Sequence, residues 1–245
     1  MFGPVASGKT HLVKQWMEGQ NRVTVFDVTG EFVSDESFMR VFSNPKQYAM
    51  ILKQSPYYFR IAYEPGEDLE YDFYWVLSAL WVTPSDKLLV VDEFHELCPV
   101  NATNAQVKKM LRFARHDKLG FMGVSQRIAD VHKLFTSSCR MVVLFRTRDA
   151  RDYDAVKDRW GKNTADIVAN LRPLIHDDVT KTTQQVPQCV VCELGKDPVV
   201  FDFATDCFVK NTVVTEYDAK STPQVEPEDP SLSSSRQEPE PELES

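Results

Sequence analysis

The sequence predicts an α/β fold: a parallel β-sheet with helices on both faces, followed by a β-hairpin and a disordered acidic tail. Strand-like apolar runs alternate with helical stretches along most of the 245 residues, an order that places strands parallel in one sheet. Two runs, at 87–91 and 141–145, are apolar almost throughout, as buried parallel strands are. Near the C-terminus, turn residues at 195–198 separate two further apolar runs, which predicts a hairpin.

Residue type and periodicity predict the individual elements. Runs of β-branched and aromatic residues indicate strands at 22–28, 57–63, 87–91, 120–127 and 139–147, and in the two arms of the hairpin within 186–203. Apolar residues at helical spacing indicate helices at 11–18, 33–42 (with Ser34 or Asp35 as N-cap), 67–82, 104–118 and 149–161.

The net charge of −8 is concentrated at the C-terminal end. Residues 216–245 contain nine acidic and two basic residues, so they carry −7 and residues 1–215 carry −1. The segment is rich in Pro, Ser and Glu and cannot bury enough apolar surface to offset the entropy lost on ordering. We therefore predict one folded domain over residues 1–215 and a disordered acidic tail over 216–245. The nearly neutral domain is compatible with a nucleic-acid partner.

The first ten residues contain the pattern G-x-x-x-x-G-K-[ST] of a phosphate-binding loop. The glycines let the backbone turn tightly and approach phosphates, and N–H groups at the start of the next helix face the anion. Lys9 would reach the β- and γ-phosphates, and the Thr10 hydroxyl would bind Mg²⁺. A glycine turn before a helix is the alternative. The residues predicted to bind the nucleotide are Gly3, Pro4, Val5, Ala6, Ser7, Gly8, Lys9 and Thr10.

Two adjacent carboxylates, Asp92 and Glu93, follow the apolar strand at 87–91. A buried strand brings its last carboxylate beside the phosphate loop, where Asp92 would hold Mg²⁺ through water. Glu93 would activate the attacking water as a general base. Loop and carboxylates together predict an NTP-hydrolysing site. His95 completes a D-E-x-H string, and we interpret it as a supporting or structural residue, because one domain leaves no room for the second motor lobe of a helicase.

The strand predicted at 120–127 ends in Ser125 and Gln126. Beside the Asp-Glu strand, Gln126 would contact the γ-phosphate and sense hydrolysis; a surface glutamine is the alternative. At least one strand, with 57–63 as the candidate, is expected between the loop and the Asp-Glu strand. That strand and the glutamate favour the RecA-like (ASCE) division of P-loop NTPases. No N-K-x-D motif of a GTPase occurs in the sequence.

The strand that should precede the loop is largely missing, because only Met1 and Phe2 stand before Gly3. We expect its apolar residues to lie upstream of Met1 in the natural gene.

Three stretches together resemble the FtsK/HerA superfamily of DNA-pumping ATPases: VVDEFHEL at 90–97, RFARHDKLGFMGVSQR at 112–127 and MVVLFRTRD at 141–149. The compact form is similar to the genome-packaging ATPases of tailless double-stranded-DNA viruses with an internal membrane. The resemblance extends from the loop to about Leu171. It implies an ATP-hydrolysing translocase that packages viral double-stranded DNA into a preformed capsid. The stretch VFDVTGEF at 25–32 is similar to the family's second-strand motif, which puts Asp27 and Glu31 near the site; a turn or cap role is the alternative.

The resemblance also implies a homo-oligomeric ring, hexameric by expectation, in which a neighbouring subunit supplies an arginine to the γ-phosphate. Arg115 falls where the family's arginine usually lies. Arg112 is the alternate, and Arg127 and Arg146 remain candidates. A solvated basic face is the alternative for each of them.

The expected partners are double-stranded DNA and capsid or portal-vertex proteins, in the host cytoplasm or in the virion. Lys108, Lys109 and Arg112 are candidates for gripping DNA phosphates, with a solvated helix face as the alternative. A cellular HerA-like translocase and a nucleotide-gated switch or assembly protein remain alternative functions.

The five cysteines are irregularly spaced and suit a reducing compartment. Cys189 and Cys192 form a lone C-x-x-C, which is either a metal site or, more simply, part of a strand with buried thiols.

Overall fold

The structure is a computed structural model that describes residues 1–84, 86–102, 104–114, 116–177 and 182–209. Arg115 and the tail predicted at 216–245 lie outside the described residues. The strands are β1 Arg22–Phe26, β2 Met39–Phe42, β3 Phe59–Glu64, β4 Lys87–Val91, β5 Leu119–Gly123, β6 Met141–Phe145, β7 Ile175–Asp177, β8 Thr182–Gln185, β9 Gln188–Glu193, β10 Val199–Asp202 and β11 Cys207–Val209. The helices are α1 Lys9–Met17, α2 Pro45–Gln54, α3 Leu69–Val82, α4 Ala105–Phe113, α5 Lys133–Ser138, α6 Ala150–Trp160 and α7 Lys162–Asn170, with a 3₁₀ turn at Phe94–Glu96.

Two sheets carry the architecture. Five parallel strands form the first, in the order β2-β3-β1-β4-β5. In its centre Val25 lies opposite Ala62 on one side and Val90 on the other. The second sheet is antiparallel and has the order β6-β9-β10-β11. Its β9 and β10 are the predicted hairpin, which is confirmed, and the parallel α/β class is confirmed as well.

Phe2 joins the two sheets. It forms parallel bridges with Ser125, just beyond β5, and with Leu144 in β6. Its N–H donates to the carbonyl oxygen of Val143 over 2.9 Å, and its own carbonyl accepts from Phe145 over 2.8 Å. Phe2 therefore occupies the position of a strand between β5 and β6.

The amino group of Met1 is buried beside this bridge. It donates to the carbonyl oxygen of Gly123 over 2.7 Å, and burial lowers its pKa from 8.0 to about 5. A cavity of about 270 Å³ adjoins Met1, lined by residues 121–123 of β5 and 141–143 of β6. The amino group thus lies between two strand edges and away from bulk water, where burial favours its neutral form.

Apolar side chains cover both faces of the first sheet. Within β4, Leu89 and Val91 belong to one core cluster and Val90 to the other, as alternation along a strand requires. Helix α1 contributes Leu12 and Met17 to the cluster of Val90, whereas α2, α3, α4, α6 and α7 contribute to the cluster of Leu89. The predicted cover of helices on both faces is confirmed.

The helix predicted at 33–42 is wrong. The chain forms turns after β1, and Met39–Phe42 is the edge strand β2, paired with β3. The carboxylate of Asp27 accepts N–H bonds from Phe32 (2.8 Å) and Val33 (2.9 Å), which bends the backbone away from a helix. Strand pairing and this turn override the local spacing of apolar residues.

The position predicted for the strand between the loop and the Asp-Glu strand also needs correction. In the sheet, β5 lies between Phe2 and β4, whereas β3, predicted at 57–63, lies beyond β1. Sequence order did not reveal this, because the crossovers that connect parallel strands let neighbours in the sheet be distant in the chain. Helices α2, α5 and α7 were not predicted.

Candidate nucleotide-binding site

The carboxyl ends of four strands meet beside the loop of residues 3–10. Strand β1 ends before Asp27, β4 before Asp92, β5 shortly before Gln126 and β6 before Arg146. These strands and Phe2 run in one direction. The residues that follow them therefore reach one edge of the sheet, where open α/β folds bind ligands.

The loop folds around the side chain of Lys9. The Nζ atom donates to the carbonyl oxygens of Gly3 (2.7 Å) and Pro4 (2.8 Å), and the residue is only 8% exposed. Burial lowers the pKa of Lys9, against the opposing effect of nearby carboxylates, that of Glu93 being the largest. A cation placed in this way can bind an anion that enters the loop.

Helix α1 begins directly after the loop. Gly8 precedes it with a φ of 96°, a left-handed conformation that favours glycine. The first N–H groups of a helix have no partner within the helix and attract anions. This end of α1 therefore presents backbone donors and the Lys9 charge together.

A cavity of about 300 Å³ opens at this end of α1. Its lining combines residues 5–11 with Asp92, Glu93, Gln126 and two residues of the β1–β2 connection, Thr29 and Glu31. The structure thus brings the predicted residues from Val5 to Thr10 together with Asp92, Glu93 and Gln126. Gly3 and Pro4 lie outside this lining and accept the Lys9 hydrogen bonds instead.

Asp92 is buried at the end of β4. Its Oδ2 accepts a hydrogen bond of 2.5 Å from the Thr29 hydroxyl. Burial raises the pKa of Asp92 to about 6, and the neighbouring Glu93 charge adds to the rise. The carboxylate is ionised at neutral pH and lies in a setting that favours a cation beside it.

Polar side chains lie beside both carboxylate oxygens of Glu93, but only Oε1 forms a hydrogen bond among the described residues, and the buried Oε2 forms none. Oε1 accepts from Gln126 Nε2 over 2.6 Å, and Oε2 lies 3.2 Å from Nδ1 of His95. Burial opposes ionisation, but these contacts outweigh it and lower the pKa of Glu93. The same contact raises the pKa of His95. Glu93 also has a φ of 44°, a strained left-handed backbone for a residue with a side chain.

Asp27 and Glu31 take different positions. Asp27 is fully buried and accepts the two N–H bonds that shape the turn after β1. Glu31 reaches the cavity and accepts a hydrogen bond of 2.6 Å from the Thr10 hydroxyl. Thr29 was missed by the sequence analysis, although it lies in the stretch VFDVTGEF between these two acidic residues.

The residues around Thr10 suit a hard divalent cation. Thr10 offers a hydroxyl oxygen, and Asp92, Glu93 and Glu31 offer carboxylates to the same cavity. Mg²⁺ prefers such oxygen ligands and binds through one or two carboxylates together with phosphate oxygens. Thr10 and Asp92 would hold the ion, and the ion would neutralise charge on the phosphate groups.

A second cavity, of about 640 Å³, lies on the other side of the loop. Residues 4–7 form one wall, residues 146–149 another, and residues 172–174 with 187–188 a third. The sequence analysis did not predict this cavity, because its third wall comes from segments far along the chain.

Two predicted arginines line the second cavity. Arg127 pairs with Asp149 and lies 3.7 Å from Asp152, so its charge is balanced within the subunit. Arg146 has a buried Nε without a hydrogen-bond partner among the described residues, and burial lowers its pKa. Arg146 is therefore the better placed of the two to meet an anion.

The basic residues of α4 lie apart from the linings of both cavities. Lys108 and Arg112 are exposed, and Lys109 lies over the ring of Trp81, 5.0 Å from its centroid. No described helix has the length and apolar character needed to cross a bilayer.

Cys189 and Cys192 belong to opposite core clusters, on the two faces of β9. They therefore do not point to a common metal. Within the described ranges, no group of three or more His, Cys, Asp or Glu side chains is arranged for a metal ion.

The amino-acid sequence matches no protein-family model and no curated protein. The fold does match solved structures. The DNA-packaging ATPase B204 of Sulfolobus turreted icosahedral virus superposes with a TM-score of 0.60 at 12% identity, over 85% of this chain and 93% of that one. The genome-packaging NTPase B204 of Sulfolobus turreted icosahedral virus 2, in complex with AMPPCP, gives 0.59 at 16% identity, over 75% and 93%.

The chain has the fold of a viral genome-packaging NTPase. The predicted resemblance is thereby confirmed as a resemblance of fold. The B204 of virus 2 has also been solved with ATP-gammaS.

Proposed function

We propose that the chain is an ATP-hydrolysing DNA translocase that packages viral double-stranded DNA into a preformed capsid. One observation carries the proposal: the cavity at the start of α1 combines a buried lysine, a helix N-terminus and two ionised carboxylates. This combination suits a magnesium-bound triphosphate. The fold shared with the B204 packaging NTPases supports the choice of DNA as cargo.

Binding follows from charge and geometry. The phosphates enter between the loop and the first turn of α1, where backbone N–H groups and Lys9 neutralise them. The lysine exchanges its bonds to Gly3 and Pro4 for bonds to phosphate oxygens. Thr10, whose hydroxyl bonds to Glu31 in this structure, and Asp92 would hold the metal ion, which would neutralise charge on the phosphates.

Each of the remaining residues of the site has one role in hydrolysis. Glu93 takes a proton from a water, the water oxygen bonds to the γ-phosphorus, and the bond to the bridging oxygen breaks to leave ADP and phosphate. Gln126 contacts the γ-phosphate and registers its loss. Arg115 of a neighbouring subunit stabilises the transferred phosphoryl group, an effect of about 10³ to 10⁵ in rate in related phosphoryl-transfer enzymes.

We assign the chain to a homo-oligomeric ring, hexameric by expectation, with nucleotide between neighbours and duplex DNA in the channel. Lys108, Lys109 and Arg112 are the candidates for contact with DNA phosphates. Capsid or portal-vertex proteins are the proposed docking partners, and the place of action is the host cytoplasm or the virion.

The test is ATP turnover with and without long duplex DNA. We expect DNA to stimulate hydrolysis by the unmodified chain. Glu93→Gln is expected to lower turnover by about 10²-fold to 10⁴-fold and to leave ATP binding intact, because the amide keeps the shape of the carboxylate but cannot accept the proton. Lys9→Ala is the matched control and is expected to lose binding.

Two results would redirect the proposal. ATP binding with turnover indifferent to DNA favours a nucleotide-gated switch. DNA stimulation by a chain that does not associate with capsid proteins favours a cellular HerA-like translocase.

A further inference from the structure

Two side chains, those of Gln126 and His95, lie beside the carboxylate of Glu93. Gln126 donates from Nε2 to Oε1 over 2.6 Å, and His95 lies 3.2 Å from Oε2 through Nδ1. A general base needs one oxygen free for the proton of the attacking water. Oε2 is buried and forms no hydrogen bond among the described residues, although His95 lies at ion-pair distance from it. Since Oε2 is closed to water and Oε1 carries the Gln126 bond, the carboxylate is in a resting arrangement.

Gln126 and His95 differ in how many other groups hold their side chains in place. His95 is braced on both ring nitrogens: Nε2 lies 3.2 Å from Oε1 of Glu96, and Nδ1 is also 3.2 Å from the Ser125 hydroxyl. It lies in the 3₁₀ turn that Phe94 anchors in the core. Gln126 lines both cavities, and Glu93 is the side-chain partner it contacts in the described structure. The Gln126 side chain can therefore move away from Glu93, whereas the His95 side chain stays in place.

We propose that His95 is a positioning residue for Glu93, and that Gln126 exchanges between Glu93 and the terminal phosphate of the nucleotide. This inference rests on the proposed function. When a triphosphate occupies the loop, the Gln126 amide turns to the γ-phosphate and Oε1 becomes free to accept the water proton. His95 stays at ion-pair distance from Oε2, so its charge orients the carboxylate and the freed oxygen faces the water.

The backbone supports this reading. Glu93 adopts a left-handed φ of 44°, a conformation that persists only where surrounding contacts enforce it. Its neighbours on either side are fixed, Asp92 by its N–H bond of 3.0 Å to the Phe26 carbonyl and Phe94 by its N–H bond of 2.8 Å to the Val124 carbonyl. With the backbone held in this way, the His95 contact determines where the carboxylate points.

The test compares His95→Ala, His95→Asn and an exposed control, His116→Ala, in the full chain. We expect His95→Ala to lower kcat by about 10-fold to 100-fold, below the 10²-fold to 10⁴-fold typical of a general base itself. The Kd for an ATP analogue should remain within about twofold, because the side chain does not reach the phosphate loop. His95→Asn should recover part of the loss, since its amide can donate near the Nδ1 position. His116→Ala should match the unmodified chain.

A double-variant cycle tests whether His95 acts through Glu93. In a Glu93→Gln background, single-turnover measurements should find that His95→Ala has no further effect, because the group it positions is no longer a base. An independent further loss there, or a kcat of His95→Ala equal to that of the unmodified chain, would overturn the inference. If His95→Ala does not fold, His95→Asn carries the same cycle.

Failure of the two proposals can be distinguished. An unmodified chain that binds but never hydrolyses ATP removes the proposed function and this inference with it. An active chain that is indifferent to His95 removes this inference alone.

Discussion

In a polypeptide that starts at Met1, as the printed sequence does, the buried amino group of Met1 makes the free energy of unfolding depend on pH. The amine lies against the carbonyl of Gly123, and burial lowers its pKa from 8.0 to about 5. In the unfolded chain the amine keeps its ordinary pKa, so between pH 5 and 8 the unfolded state binds the extra proton. Stability therefore rises as the pH rises through this window.

The magnitude follows from the two pKa values. A fall in pKa from 8.0 to about 5 on folding corresponds to a loss of about 4 kcal/mol in the free energy of unfolding. The full loss is reached below pH 5. Relative to pH 9, the free energy of unfolding is lower by about 1 kcal/mol at pH 7 and by about 3 kcal/mol at pH 6. Acetylation of Met1 removes the charge and keeps an N–H for Gly123, and the acetyl group has the adjoining cavity of about 270 Å³ to enter.

The assay is urea unfolding of the free and the acetylated chain at pH 6, 7 and 9. Two other groups change the stability in the opposite direction. The pKa of His95 is raised in the folded chain, so its stabilising effect is lost as the pH rises. Asp92, with a folded-state pKa of about 6, also lowers the stability as the pH rises, but over a lower pH range. The effects of His95 and Asp92 are the same in the free and the acetylated chain, so they cancel when the two free energies of unfolding are subtracted. We expect the acetylated chain to be more stable by about 1 kcal/mol at pH 7 and by more at pH 6. Parallel pH profiles, or an acetylated chain that is less stable, would refute the reasoning.

Three further predictions concern packing and the metal site. Gly3→Ala should destabilise the fold by about 1–3 kcal/mol, because its Cβ would lie 2.6 Å from that of Phe145; an unchanged urea midpoint would contradict it. Tyr48→Phe should cost about 1–3 kcal/mol in urea unfolding, because the buried Thr24 hydroxyl loses its 2.8 Å partner, and adding Thr24→Val should recover most of this. Affinity for magnesium-bound ATP should fall below about pH 6, where Asp92 takes up a proton; a flat binding profile between pH 5 and 7.5 would count against Asp92 as a ligand.

The neighbourhood of Asp92, Glu93 and Gln126 could be predicted from sequence for a simple reason. Each residue follows an apolar strand, and the carboxyl ends of parallel strands meet at one edge of a sheet. The prediction needed only strand positions and polarity. The loop at Gly3–Thr10 added the helix N-terminus, which its own residue pattern encodes.

Other features depended on pairings between distant segments. The stretch at 33–42 has helical spacing, yet the Asp27 turn and the open edge of β3 make it a turn and a strand. The order of strands, with β5 and not β3 next to Phe2, reflects crossover geometry. The second cavity requires residues 172–174 and 187–188 to return to the loop.

The sequence by itself determined the fold class, the phosphate loop and the strand-end carboxylates, because each depends on residues that are close together in the chain. Only the tertiary structure decided that Glu31 binds Thr10, that His95 and Gln126 hold Glu93 from two sides, and that the Met1 amine is buried between β5 and β6. These contacts join residues from separate elements, and which elements become neighbours is set by the packing of the whole sheet.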